Sequence, residues 1–100
     1  MSLGANANNN VIGGSSAGAR NIISGNTGDG VSLSGASSNT VAGNYIGTDV
    51  NGTADLGNSG SGVFLGSGTA NTIGGTSSDT RNVIAGNTSF GVLFYGAGVS

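Results

Sequence analysis

The chain has no cysteine, histidine, lysine, glutamate, tryptophan or proline. Without His and Cys the usual zinc and haem sites and the Ser–His and Cys–His nucleophilic pairs are excluded. Without Lys there is neither a P-loop nor a Schiff base. No cofactor is expected from what remains. Two Arg against four Asp give a net charge of −2. A nucleic-acid partner is therefore not expected, because nothing neutralises phosphate. No apolar run approaches the ~20 residues that cross a bilayer, so no membrane partner is expected either. Strong helix formers other than Ala are scarce, which argues against an α-helical domain. Disordered tracts are usually rich in proline, so its absence speaks against a flexible linker.

What is present is small. Gly, Asn, Ser and Thr make up 59 of 100 residues, and 22 of these are Gly. The apolar 35% falls in short β-branched groups at regular spacing, as a packed structure requires. The start, Met1-Ser2-Leu3-Gly4, has neither the basic nor the apolar segment of a signal peptide. It reads as an expression-vector start. Residues 1–9 are accordingly expected to be irregular or partly vector-derived, within a single segment spanning 1–100.

Internal repetition is the main signal. Residues 10–39 align without a gap to 71–100, an offset of 61, with about half of the positions identical. Arg20-Asn21-Ile22-Ile23 returns as Arg81-Asn82-Val83-Ile84, and Gly30-Val31 as Gly91-Val92. A shorter element, Asn-x-(Ile/Val)-x-Gly, begins at Asn10, Asn21, Asn39, Asn71 and Asn82. A second, Gly-Val-x-(Leu/Phe), begins at Gly30, Gly62 and Gly91. Each is a strand too short to bury anything unless stacked. Three strands per coil give about three coils of roughly 30 residues, with a loop at 48–61 lengthening the second.

The predicted architecture is an all-β, three-faced parallel β-helix, or solenoid, with strands of successive coils about 4.8 Å apart. Ile12, Ile23, Val31, Leu33, Val41, Ile46, Val63, Leu65, Ile73, Ile84, Val92 and Phe94 are predicted to point inward. Asn21, Asn39, Asn71 and Asn82 are predicted to form corner ladders, since Asn tolerates tight turns and its amide can bond the same group on the next coil.

The strings Asn-(Val/Thr)-Ile-Gly-Gly, Ala-Arg-Asn-Ile-Ile-Ser-Gly-Asn (19–26), Gly-Asn-Tyr-Ile-Gly-Thr-Asp (43–49) and Gly-Thr-Ala-Asp-Leu-Gly-Asn (52–58) resemble the right-handed parallel β-helix repeats of large bacterial surface or secreted proteins. The resemblance covers the chain from about Asn10 onward. It implies right-handedness, a pectate-lyase-like superfamily fold and an extracellular or cell-surface bacterial location. It does not select a function, because that superfamily includes lyases, epimerases, adhesins and passive stalks.

Arg20 and Arg81 are the only basic side chains. The resemblance allows an Arg to serve as a base in a lyase. Their recurrence at one repeat position points instead to coil-to-coil packing. Asp49, Asn51 and Asp55 resemble the start of a calcium loop, but the closing Glu is missing, so a plain Asx-Gly turn is the simpler reading and no metal is expected. Four scattered Asp make a poor set for acid–base chemistry. Phe64, Phe90, Leu93 and Tyr95 lie at outward positions and form a candidate interface stripe, for a second chain or a stacked sugar.

The expected function is non-catalytic: a spacer or adhesin stalk within a larger extracellular repeat protein. Fragments of a polysaccharide lyase-like enzyme and a glycan-binding module remain alternatives, with a polysaccharide as ligand in either. Nothing at either terminus reads as a cap, so chains are expected to associate end to end through their coils.

Overall fold

A computed structural model describes residues 1–53 and 55–96 of the chain. Among the described residues, ten short strands follow one another. They are β1 (Ser2–Leu3), β2 (Val11–Gly13), β3 (Ile22–Ile23), β4 (Val31–Ser34), β5 (Thr40–Ala42), β6 (Tyr45–Ile46), β7 (Val63–Gly66), β8 (Thr72–Ile73), β9 (Val83–Ile84) and β10 (Val92–Tyr95). Two 3-10 turns, Ala17–Ala19 and Ser78–Thr80, lie between β2 and β3 and between β8 and β9. The strands form three sheets: A (β1-β4-β7-β10), B (β2-β5-β8) and C (β3-β6-β9). Every strand pair is parallel. The chain therefore winds A to B to C and back to A, as a parallel β-solenoid of about three turns.

Register explains why strands this short hold. Val31 pairs with Val63 and Leu33 with Leu65 in sheet A. Ile12 pairs with Val41 in B, and Ile23 with Ile46 in C. Each column buries like against like, and all eight residues are buried. At about 25 cal/mol per Å2 of apolar surface, such columns drive the stacking. The lengthening of the second coil falls at 47–62, around the predicted loop, which an isolated antiparallel bridge between Thr48 and Asp55 closes.

One expectation is corrected, and another holds in register but not in burial. Residues 1–9 are not simply irregular, because Ser2 and Leu3 pair with Ser32 and Leu33. The cause is Leu3, which falls on the inward column and packs against the core together with Ala7. The Met1 amino group donates to the Gly30 carbonyl at 2.8 Å. Val92 and Phe94 lie in register with Val63 and Leu65, yet they are 39% and 52% exposed. They belong to the last described coil, where nothing among the described residues stacks on them. Ile73 and Ile84 are partly buried for the same reason.

The Cα extents are 34 × 27 × 18 Å. Four strands about 4.8 Å apart span roughly 15 Å, so the solenoid axis is the short dimension. The body is a disc, and its two end faces are its broadest surfaces.

Candidate functional site

The polar chemistry of the molecule is concentrated at its corners. Asn10, Asn39 and Asn71 stack at the corner from sheet A to B. Asn21, Asn44 and Asn82 stack between B and C, and Asn26, Asn58 and Asn87 between C and A. The bonding repeats at each step. The backbone and side-chain N–H of one asparagine both donate to the Oδ1 of the asparagine one coil on, as Asn44 does to Asn82 at 2.9 and 3.3 Å. The second side-chain N–H turns back to the preceding coil, as Asn44 Nδ2 does to the Ile12 carbonyl at 2.9 Å. Asn39, Asn44 and Asn58 are fully buried, and no buried side-chain polar atom among the described residues lacks a partner. Spacing along the ladders alternates: 29 then 32, 23 then 38, and 32 then 29 residues. Each pair totals the 61-residue period of the sequence.

The structure places Asn39 and Asn71 in one ladder and Asn21 and Asn82 in another. Sequence reasoning missed Asn10, Asn26, Asn44, Asn58 and Asn87 as ladder members. A signal was available for four of them: Asn26, Asn44, Asn58 and Asn87 each follow a glycine.

The same alternation makes a notch. The corner between sheets B and C takes residues 14–21 in the first coil and 74–82 in the third, but only 43–44 in the second. Two long corners thus stand above and below a short one. Between them lies a cleft of about 260 Å3. Ser15, Ser16 and Arg20 line it from one coil, and Ser78, Asp79 and Arg81 from the other; Tyr45 and Val83 complete it. Arg20 reaches across to the second coil. Its Nε donates to the Gly43 carbonyl at 3.3 Å, and its guanidinium carbon lies 4.2 Å from the centre of the Tyr45 ring. That cation–π contact is worth about 0.5–1 kcal/mol at an exposed site. The Arg81 guanidinium makes no hydrogen bond or ion pair among the described residues. Both arginines of the chain therefore line one notch. It offers N–H and hydroxyl donors to an oxyanion, and one carboxylate, Asp79, with no second acid beside it.

The remaining candidates lie elsewhere. Phe64 and Tyr95 meet on the outer face of sheet A, with ring centres 6.3 Å apart, and Leu93 pairs with Phe64. Phe90 is exposed in the corner before β10. Asp49 Oδ1 accepts the backbone N–H groups of Asn51 and Thr53, both at 3.1 Å, and Asp55 Oδ1 accepts that of Gly57 at 3.0 Å. Those carboxylates close the 47–62 loop on itself, while the Asn51 side chain is exposed. No group of three or more His, Cys, Asp or Glu that could hold a metal ion occurs among the described residues. Asp29 Oδ1 accepts the Ser61 N–H at 2.7 Å, which ties the first coil to the second.

No family model, no curated protein and no solved structure matches this chain.

Proposed function

We propose that the chain is a non-catalytic structural segment of a larger bacterial cell-surface or secreted β-solenoid, of the pectate-lyase-like kind, acting as a rigid spacer or adhesin stalk. One observation carries this reading: the buried asparagines Asn39, Asn44 and Asn58 are spent on holding coils together. Nine asparagines form three ladders, and Asp29 bridges two coils. A continuous ladder along an aliphatic core resists local opening, as a spacer must. The test is incubation with pectate or alginate and calcium, followed by ultraviolet absorbance of the unsaturated product. Absence of product together with a single cooperative urea transition is expected. Product formation would overturn the reading in favour of a lyase.

A glycan-binding module is the second reading, favoured by the convergence of Arg20 and Arg81 on the Tyr45 notch. An acidic polysaccharide would set carboxylate or sulfate groups against the guanidiniums. Titration with acidic oligosaccharides at increasing salt checks it, and Arg81→Ala should abolish any binding seen.

A further inference from the structure

Among the described residues, nothing requires Gly91 to be glycine. Gly30, Gly62 and Gly91 precede β4, β7 and β10 in sheet A. A methyl group added at Gly30 would lie 2.7 Å from the Gly62 carbonyl and 2.9 Å from Asn58 Nδ2 on the next coil. One added at Gly62 would lie 2.7 Å from the Gly91 carbonyl and 2.9 Å from Asn87 Nδ2. At Gly91 it would meet only Ile84 Cγ2 at 3.9 Å, an ordinary contact. Nor does Gly91 adopt the positive φ that favours glycine. The residue is shaped for a close backbone approach that the described coils do not supply.

Other features of the same face agree. Arg81 stands where Arg20 stands one period earlier, but without the carbonyl and ring that Arg20 holds. An open depression of about 320 Å3 lies between Ile73, Ile84, Arg81 and Asn82. Its counterparts around Ile12 and Ile23 are buried beneath the second coil. Val92 and Phe94 complete the exposed core cross-section.

We propose that the face formed by β8, β9 and β10 is a docking surface for one kind of coil: a parallel β-solenoid turn with a two-residue Gly-Asn corner followed by tyrosine, as in residues 40–66. Continuity with the existing interface between the first and second coils identifies the occupant. Arg20 clamps Gly43 and Tyr45 there, and Gly13 admits the Ala42 carbonyl and the Asn44 amide. Gly74, one period on from Gly13, keeps the same φ of +94°, where an added methyl group would meet only the Thr80 carbonyl, at 3.9 Å, among the described residues. A second copy of this chain fits poorly. β1 already holds the place below β4 in sheet A. The copy's first coil would also set residues 14–21 against 74–82 and Arg20 against Arg81, two long corners and two like charges. This names a partner for the spacer reading but fails separately from it, since lyase activity would leave the face's selectivity untouched.

The experiment compares the full chain with one carrying residues 40–66 appended after Ser100, where the 61-residue repeat places them. In the parent chain, Gly91→Ala should leave the melting temperature unchanged or slightly raised, through a less flexible unfolded state. Arg81→Ala should also be silent there. The extended chain should melt higher than the parent. In it, Gly91→Ala should lower the melting temperature by several degrees, as Gly62→Ala should in both chains. Arg81→Ala should lower it less. An equal effect of Gly91→Ala in both chains, or no gain from the added coil, overturns the proposal. Mass growth of the parent chain with concentration that Gly91→Ala abolishes overturns the choice of occupant, and makes it a second copy.

Discussion

Replacing Asn44 by alanine tests whether the ladders, rather than the aliphatic columns alone, hold the coils in place. Asn44 is fully buried. Its Oδ1 accepts the Asn21 backbone N–H at 3.1 Å and the Asn21 Nδ2 at 3.2 Å. Its Nδ2 donates to the Ile12 carbonyl at 2.9 Å and to Asn82 Oδ1 at 3.3 Å. Asn44→Ala removes these four bonds but leaves the backbone bond from residue 44 to Asn82 in place. Asn82 Oδ1 therefore keeps a donor, and the half-buried Asn21 amide can turn to water. The Asn21 N–H loses its partner inside the wall, while the Ile12 carbonyl keeps its sheet bond to β5, as the Val41 carbonyl accepts from Gly74 as well as from Asn82. An unpaired N–H there costs about 1–3 kcal/mol, and the small void adds to this, so the total is about 2–4 kcal/mol. A domain of this size has roughly 5–15 kcal/mol to lose. Urea unfolding followed by far-ultraviolet circular dichroism reads the change. With a slope of about 1–3 kcal/mol per molar urea, the midpoint should fall by roughly 1–3 M. Asn26→Ala is the control, because Asn26 is exposed on the first rung and only donates to Asn58. It should cost under about 1 kcal/mol. If Asn44→Ala matched Asn26→Ala, the ladders would be incidental and the reasoning wrong.

Leu65→Ala removes a fully buried side chain and should cost about 2–5 kcal/mol, whereas Phe94→Ala, in the same column but half exposed, should cost far less in urea unfolding. Arg20→Ala loses the Tyr45 contact and the Gly43 bond, and should cost about 1–2 kcal/mol by the same assay; Arg20→Lys should recover only part of it, because an ammonium cannot lie flat on the ring while donating sideways. Asp49→Ala should loosen the 47–62 loop by about 1 kcal/mol per lost bond, seen as faster amide exchange at Asn51 and Thr53. Calcium should leave the melting temperature unchanged, and a rise that Asp49→Ala removes would restore the calcium-loop reading.

The solenoid could be read from the sequence because its core is periodic twice over. Val31 and Leu33 alternate along a strand, and Val63 and Leu65 repeat them one coil on. The same pattern could not show that Val92 and Phe94 stay exposed, because alternation reports which face a residue takes and not what covers that face. β1 escaped notice because two residues carry no period, and Ser2 and Leu3 become a strand only through register with Ser32 and Leu33. Asn44 was hidden because glycine follows it one residue too early for the five-residue element. The notch was out of reach altogether. Arg20 and Tyr45 lie on different coils and meet only because the second coil's corner is cut to two residues.

That cut corner also explains why the period is 61 residues rather than about 30. A long corner at 14–21 or 74–82 projects beyond the wall, and stacking two of them directly would crowd both. Alternation lets each project over a short neighbour, and Arg20 uses that space to lie on Tyr45. The shortening is offset on the next corner, where 47–62 is the long one and 24–30 the short one. Coils of two kinds then have end faces of two kinds. A solenoid of identical coils would accept any coil at either end, because backbone pairing alone carries no identity. Here corner length, arginine and glycine placement differ between successive coils, so the stacking surface itself discriminates. The order of coils is thus written into contacts at the corners, while the aliphatic columns, nearly the same in every coil, supply adhesion without choice.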